Sequence, residues 1–162
     1  MSKITLDDIN IFEATDKQGF KDATLLFKEY ANTLNVDLSF QDFEKELQTI
    51  DQQYRRPKGA LILAKYGEKE LVGCVSIRGI EQDIAELKRM YLRIDFRGLG
   101  LGQIFIDKAL ATAKELGYNK IRLDTLPEME EAQSLYLKNG FYEITPYRYN
   151  PVKGAKYLEK DL

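Results

Sequence analysis

The residues with the clearest capacity for chemistry lie at positions 97–103, which read Arg-Gly-Leu-Gly-Leu-Gly-Gln. Three glycines at alternate positions let the backbone adopt left-handed or crowded conformations, so several N–H groups can point toward one centre. A helical pattern starts near Leu101, and the first N–H groups of a helix lack intrahelical partners. The first turn carries no carboxylate before Asp107, whereas Arg97 adds a positive charge. These features predict an anion-binding loop that suits a phosphate group.

Spacing separates the known kinds of phosphate loop. A P-loop needs a lysine followed by serine or threonine, and the sequence has Gln103-Ile104 there, which excludes it. A dinucleotide-binding loop needs a different glycine spacing and an acidic residue about 20 positions later, a place that Asp124 takes. A third pattern, Arg/Gln-x-x-Gly-x-Gly, is satisfied by Arg97, Gly100 and Gly102. From the loop alone, the second and third patterns stay open, as does a turn that binds nothing.

Composition restricts the class of protein. The chain has 162 residues, which predicts a single domain spanning 1–162, and 44% of them are hydrophobic and 31% charged. A net charge of −2 provides no basic field for nucleic acid, and no apolar run approaches the length of a membrane span. The first eight residues lack the apolar segment of a signal peptide, so we expect a cytoplasmic protein.

The absence of histidine is the most restrictive feature of the composition. It excludes Ser-His and Cys-His nucleophile pairs and removes the commonest metal ligand. Catalysis must therefore use carboxylates, tyrosines, lysines or backbone groups, and we expect no metal. The single cysteine, Cys74, lies in the apolar run 71–77 and is predicted to be a buried, inert thiol.

The N-terminal third predicts one short strand and two helices. Residues 9–12 alternate like a strand, and a helix with one apolar face follows, marked by Phe20, Ala23, Phe27, Tyr30 and Leu34. A second helix is predicted from Leu38 to Ile50, with Ser39 as its N-cap and Leu38 and Phe43 forming a hydrophobic staple. Its buried face would consist of Phe40, Phe43, Leu47 and Ile50.

Strands dominate the centre of the chain. Residues 60–64 and 71–77 predict an antiparallel hairpin, and residues 84–92 predict a third strand. Strict alternation along the third strand would give one face to Ile84, Glu86, Lys88, Met90 and Leu92 and the other to Ala85, Leu87, Arg89 and Tyr91. Charges on both faces directly before the glycine loop indicate that this strand borders a cleft.

The C-terminal part alternates between helices and strands. A helix from Leu101 is ended by Gly117, and residues 121–125 form a strand. Pro127 begins a further helix, which Gly140 ends. Residues 141–144 and 155–158 predict a closing pair of strands.

This order of elements resembles the GNAT superfamily of N-acetyltransferases from about residue 60 to the end. The matching pieces are residues 86–92, the loop from Arg97 to Gly102, Leu135-Tyr136 and Gly140-Phe141. The resemblance implies an α/β (α+β) fold with a mixed, mostly antiparallel central sheet flanked by helices. A dinucleotide domain would instead require repeated βαβ units with nearly continuous apolar strands, which the hairpin and the charged strand do not provide.

The resemblance also implies an activity, which is acetyl transfer from acetyl-CoA directly to a primary amine in a ternary complex. It implies donor-binding residues on the third strand and in the loop: Met90, Tyr91, Leu92, Arg97, Gly98, Leu99, Gly100, Leu101, Gly102 and Gln103. Tyr136 would be the general acid toward the departing thiolate, with packing in the core as the alternative. Glu86 would be the general base, acting directly or through water, with a salt bridge to Lys88 or Arg89 as the alternative. One departure is Met129, which stands where many members carry an asparagine that contacts the pantetheine arm.

The acceptor is the least determined part of the prediction. Segments expected to border its side of the cleft carry Tyr30, Arg78, Glu81, Tyr91, Tyr147, Tyr149 and Asn150. We expect a small amine or amino-acid-like acceptor, and the sequence leaves a homodimer open. Two other hypotheses are a nucleotide-binding sensor without catalysis and an NAD-dependent oxidoreductase in which Asp124 contacts the ribose.

Overall fold

A seven-stranded sheet forms the centre of the fold. The computed structural model describes residues 3–34 and 36–162, apart from the side chain of Phe40. The strands are β1 (Ile9–Glu13), β2 (Ala60–Tyr66), β3 (Glu70–Glu81), β4 (Ile84–Leu92), β5 (Lys120–Thr125), β6 (Tyr142–Ile144) and β7 (Lys156–Asp161). The helices are α1 (Lys17–Thr33), α2 (Phe43–Gln48), α3 (Ile50–Gln53), α4 (Leu101–Glu115) and α5 (Glu130–Lys138). This mixed sheet with flanking helices confirms the predicted fold class, and no helix of the described residues is long and apolar enough to cross a membrane.

The strand order is β1-β2-β3-β4-β5-β7-β6, and every neighbouring pair is antiparallel except β4 and β5. The parallel pair is short, because only residues 84–86 of β4 have partners, at positions 120–122 of β5. Beyond Glu86 the two strands diverge. The last six residues of β4 therefore have no partner on the β5 side, which opens a gap in the middle of the sheet.

Two hydrophobic cores hold helices against the two faces of the sheet. One core joins α4 and α5 to β2–β5 and is centred on Val75, Ile77, Phe105 and Ile106, all fully buried. The other joins α1 and α3 to β2 and β3 through residues such as Phe27 and Tyr54. Cys74 lies in this second core, as predicted, and burial raises the pKa of its thiol. The first core continues across the gap to Ile121 and Leu123 of β5, whereas the second core includes no residue of β5.

A β-bulge in β4 overturns the predicted alternation. Cys74 of β3 lies opposite Tyr91 and Ser76 lies opposite Lys88, so two steps of β3 face three steps of β4. The extra residue lies next to Arg89, whose φ of 57° is left-handed. As a result Met90 and Leu92 pack against the same core as Ala85 and Leu87, whereas Tyr91 packs against the other core. An inserted residue reverses the faces of everything after it, because side chains alternate with period two.

The prediction of one continuous helix from Leu38 to Ile50 is wrong. This segment is divided into a 3₁₀ turn (Leu38–Gln41), α2 and α3, because Asp42 takes a left-handed conformation with φ of 57°. The side chain of Asp37, not Ser39, accepts the capping hydrogen bond, from the N–H of Ser39. Ile50 is buried and Phe43 and Leu47 are partly buried, as predicted, whereas the side chain of Phe40 lies outside the described residues.

Several predicted boundaries shift by a few residues. β3 continues to Glu81 and β7 to Asp161, beyond the predicted ends. Helix α5 begins at Glu130, three positions after Pro127, since Met129 is its N-cap. Helix α4 begins at Leu101 as predicted, which leaves the glycine loop at the open end of the gap in the sheet.

Candidate active site

A cleft of about 770 Å³ lies where β4 ends and α4 begins. Its walls include the last residues of β4, the glycine loop, the first turn of α4 and the first turns of α5. Nine of the ten predicted donor-binding residues line it: Met90, Tyr91, Leu92, Arg97, Gly98, Gly100, Leu101, Gly102 and Gln103. Leu99 does not line it and packs against the core beside α4. The loop and the end of β4 thus line one cavity, and their role in binding the donor stays a prediction.

The glycine loop has the backbone that an anion site requires at two of its three glycines. Gly98 and Gly100 have φ of 82° and 87°, and a Cβ at either position would meet no heavy atom within 4 Å. Gly102 is different, because it lies inside α4, and a Cβ there would approach Leu135 Cδ2 at 3.1 Å. Gly102 therefore serves the close approach of α5 to α4, whereas Gly98 and Gly100 provide the left-handed backbone.

Charge around the cleft is unequal. Gly100 is the N-cap of α4, so the free first-turn N–H groups and the positive end of the helix dipole lie on the loop side, with Arg97 beside them. The opposite wall carries three glutamates, at positions 128, 130 and 131. An anionic group is therefore favoured at the loop and disfavoured at the start of α5.

Two loop side chains are already engaged. Arg97 Nε donates to the carbonyl of Leu92 at 3.0 Å, which ties the loop to the end of β4. Gln103 Nε2 donates to Asn139 Oδ1 at 2.7 Å, and Asn139 Nδ2 returns a bond to Gln103 Oε1 at 3.0 Å. This exchange joins α4 to the end of α5 and leaves the backbone N–H of Gln103 as the group that a ligand can use. The role of Asn139 was missed, because nothing in its local sequence indicates it.

A second, smaller cavity of about 60 Å³ continues from the cleft into the gap between β4 and β5. Both cavities are lined by Tyr30, Leu34, Met90, Met129 and Ala132. Met129, the residue that departs from the family pattern, therefore lies at the junction of the two cavities. Burial raises the pKa of Tyr30, which also lies there, to about 12.

Tyr136 lines the smaller cavity. Tyr136 is 6% exposed. Its ring packs edge to face against the ring of Phe141, and the two ring centroids are 5.6 Å apart. Its hydroxyl has no hydrogen-bond partner within the described ranges 3–34 and 36–162. Burial raises the pKa of Tyr136 above its ordinary value, so the phenol keeps its proton at neutral pH. A buried phenol usually finds a partner, so this free hydroxyl is available to a group that enters the cavity.

Glu86 lines neither cavity. Its carboxylate accepts from the Tyr147 hydroxyl at 2.7 Å, from Arg148 Nη2 at 2.8 Å and from Arg78 Nε at 3.1 Å. The ion-paired alternative is thus the one that the geometry favours, with Arg78 and Arg148 as partners instead of Lys88 or Arg89. Glu86 holds the loop after β6 against β4, and its role as a base stays a prediction.

Arg89, at the bulge of β4, forms a buried ion pair with Glu46 of α2. Its Nη2 lies 2.7 Å from Glu46 Oε1, and the hydroxyl of Tyr54 donates to the other oxygen of Glu46 at 2.8 Å. Burial would raise the pKa of Glu46, but the hydrogen bond and charge of Arg89 outweigh it and keep the pKa below its ordinary value. This buried pair joins α2 to the bulge and so stabilises the left-handed Arg89 next to the small cavity.

The residues predicted to border the acceptor lie partly in the two cavities, and their role stays a prediction. Tyr30 and Asn150 line the small cavity and Tyr91 lines the cleft, whereas Arg78, Glu81, Tyr147 and Tyr149 line neither. The polar side chains of the small cavity that were missed as acceptor candidates are those of Gln41, Lys88, Arg89, Asp124 and Thr125. Their positions depend on the divergence of β4 and β5, and no local sequence pattern predicts that divergence. No cluster of potential metal ligands occurs in the part of the chain that the structure describes.

A cleft with a glycine loop at a helix N-terminus, continued by a smaller cavity that a buried tyrosine lines, is suited to a group-transfer enzyme with two substrates. A family model described as "Acetyltransferase (GNAT) family" matches residues 26–141, and this chain belongs to that family. The chain is therefore an acyltransferase.

Relatives and solved structures agree with this membership. The chain is 30% identical over 156 residues to an "Uncharacterized N-acetyltransferase" of Schizosaccharomyces pombe, a match that covers 96% of each chain. It is 30% identical over 113 residues to the N-acetylaspartate synthetase of Xenopus tropicalis, covering 69% of this chain and 42% of that protein. The crystal structure of a GNAT-family acetyltransferase from Staphylococcus aureus superposes with a TM-score of 0.78 at 23% identity, over 94% of this chain and 98% of the other.

Proposed function

We propose that the protein transfers an acetyl group from acetyl-CoA directly to a primary amine of a small molecule or amino-acid-like acceptor in a ternary complex. The observation that carries this proposal is the free hydroxyl of Tyr136 in a pocket that continues from the cleft. A buried phenol facing the junction of two cavities is suited to give a proton to a departing thiolate.

The cleft fits the donor. Its volume of about 770 Å³ is within the range of cofactor sites, and Gly98 and Gly100 leave the backbone of the loop uncovered. We propose that the N–H groups of residues 97–103 bind the pyrophosphate and that the backbone of Met90, Tyr91 and Leu92 binds the pantetheine arm. Acetyl-CoA supplies a thioester, whose acyl carbon an amine can attack. Charge-assisted hydrogen bonds of about 1.5–3 kcal/mol each make micromolar affinity reachable despite the negative net charge.

The acceptor amine must lose a proton, and two carboxylates are candidates to receive it. Glu86 has three donors on its two oxygens and lies outside both cavities. Asp124 lines the small cavity together with Tyr136. We therefore favour Asp124 as the proton acceptor, with Glu86 acting through water as the second candidate.

Paired substitutions distinguish the two carboxylates. If Asp124 takes the proton, Asp124→Asn lowers kcat by about 100-fold, within the usual range for a general base, while the Kd for acetyl-CoA stays unchanged. Glu86→Gln then retains most of kcat and instead lowers the melting temperature, because it removes the charge that Arg78 and Arg148 surround. Steady-state kinetics and thermal unfolding on both variants are the measurements. A larger loss of kcat in Glu86→Gln than in Asp124→Asn would contradict this assignment.

Calorimetric titration tests the donor site. We expect acetyl-CoA to bind with a micromolar Kd and NADH to give no heat, because the loop has the spacing of an acyl-CoA site. An amine screen for release of free thiol then tests transfer. Binding of NADH alone would favour the oxidoreductase hypothesis. Binding of acetyl-CoA with no thiol release from any amine would favour the sensor.

A further inference from the structure

Two opposite charges face the small cavity on either side of one neutral side chain. Lys88 Nζ donates to Gln41 Oε1 at 3.1 Å, and Gln41 Nε2 donates to Asp124 Oδ2 at 3.5 Å. The second contact is at the limit for a hydrogen bond. Asp124 is fixed from the other direction by Asn150 Nδ2 at 3.1 Å. The amide of Gln41 is thus a weakly held bridge between two groups that are fixed by strands β4 and β5.

The Gln41 amide places an acceptor next to Lys88 and a donor next to Asp124, which is the arrangement that the carboxylate and ammonium of a free amino acid would provide. The Gln41 amide presents an acceptor to Lys88 and a donor to Asp124 on one carbon. A free amino acid presents a carboxylate, which only accepts, and an ammonium, which only donates, with one carbon between them. Gln41 lies on a one-turn 3₁₀ helix that ends at the left-handed Asp42, so its side chain belongs to an irregular segment.

We propose that the small cavity binds the acceptor as a zwitterion, with its carboxylate on Lys88 Nζ and its ammonium on the Asp124 carboxylate, in place of the Gln41 bridge. The proposal rests on the transferase function argued above and makes its acceptor a free amino acid. The ammonium then lies in the cavity that Tyr136 also lines, next to the junction with the donor cleft.

Lys88 lacks a counter-charge of its own. It is 4% exposed, and no carboxylate lies within salt-bridge distance of it in the described part of the chain. Glu86, two residues earlier, is engaged by Arg78, Arg148 and Tyr147. An entering carboxylate would give Lys88 a partner that it does not find within the protein.

The charges around Lys88 explain its pH behaviour. Burial and the neighbouring cations lower the pKa of Lys88 to about 7, which leaves it partly neutral at physiological pH. The charged groups that face it are Arg89 and Glu86 on β4, Arg78 on β3, Glu46 on α2, Arg148 after β6, and Asp124 across the cavity. As pH rises above 7, Lys88 loses its proton and its attraction for a carboxylate falls.

The test uses acceptors that differ in one charge. The purified protein is assayed for thiol release from acetyl-CoA with the twenty common amino acids, and each active one is compared with its amide, which keeps the amine but has no carboxylate. We expect kcat/KM for the amino acid to exceed that of its amide by at least about tenfold, a factor that one charged contact supplies. Equal use of the two would overturn the zwitterion site and leave the transferase standing.

Variants of Lys88 separate recognition from folding. Lys88→Met is expected to raise KM for the amino acid about tenfold and to leave KM for the amide within twofold, whereas Lys88→Arg retains the preference for the amino acid. Between pH 7 and pH 9 the preference should decline more steeply in the wild type than in Lys88→Arg, because the titration of the two substrate amines is common to both enzymes and only Lys88 loses its charge. Lys65→Met is the control, because Lys65 pairs with Asp22 outside both cavities. An unchanged preference in Lys88→Met would overturn the proposal.

Calorimetric binding of the same amino acids separates the two proposals if no thiol is released. Amino-acid binding that requires Lys88, without turnover by any amine, would overturn the transferase and support the zwitterion site. Neither turnover nor amino-acid binding would overturn both.

Discussion

Replacement of Tyr136 by phenylalanine is expected to lower kcat for acetyl transfer by about 100-fold or more, while the Kd for acetyl-CoA and the KM of the acceptor stay within about twofold. A positioned general acid contributes about 10²–10⁴ to the rate. The hydroxyl lines the small cavity and has no partner in the described residues, so its removal leaves no buried group unpaired and no internal bond broken. The ring and its contact with Phe141 are retained.

The control for this substitution is Tyr118→Phe. Tyr118 is also buried, and its hydroxyl donates to the carbonyl of Lys58 at 2.6 Å, outside both cavities. This variant should lose about 1 kcal/mol of stability and no activity, because a made hydrogen bond is lost far from the site. Steady-state kinetics, calorimetric binding and thermal melting on the pair give the comparison. A Tyr136→Phe enzyme with normal kcat would remove Tyr136 from the mechanism.

Replacement of Gly100 by aspartate is expected to weaken acetyl-CoA binding by at least about 100-fold and leave the fold intact. The position has φ of 87° and lies at the N-terminus of α4, and a Cβ there would meet no heavy atom beyond its chain neighbours within 4 Å. A carboxylate at this point would occupy the positive end of the helix and repel a phosphate that approaches the same N–H groups.

Gly100→Asn is the matched control for the charge. Asparagine and aspartate have nearly the same shape, and both tolerate the left-handed region better than other side chains. Each variant therefore pays a similar backbone strain, of about 1–2 kcal/mol, and the difference between their Kd values reports the charge. Titration with acetyl-CoA, together with circular dichroism to check the fold, provides the measurement. Equal Kd values for the two variants would mean that the anion does not bind at the loop.

Buried ion pairs between arginine and glutamate surround the small cavity. The Glu46–Arg89 pair and the Glu86 cluster lie on opposite sides of Lys88 and connect β4 to α2 and to the loop after β6. Breaking a buried pair by removing one partner usually costs about 3–5 kcal/mol. These contacts hold the walls of the small cavity in place, whereas the partner of Lys88 among the described residues is the neutral amide of Gln41.

The sequence by itself determined the features that depend on neighbours in the chain. The glycine loop before α4, the turn at Gly117 and most strands follow from backbone freedom and from hydrophobic periodicity, which act over a few residues. The absence of histidine likewise restricted the chemistry without reference to the fold. The resemblance carried by the loop and by residues 86–92 then indicated the family.

Only the tertiary structure decided the features that depend on distant residues. The bulge at Arg89 reversed the faces of Met90 and Tyr91, because it is held from outside β4 by Glu46. Glu86 became an ion-paired residue through partners as far as 62 positions away. The amide of Gln41 reaches Asp124 across 83 positions, at a gap that exists because β4 and β5 pair for only three residues. Local propensity cannot specify such contacts, since they form only when separate elements pack together.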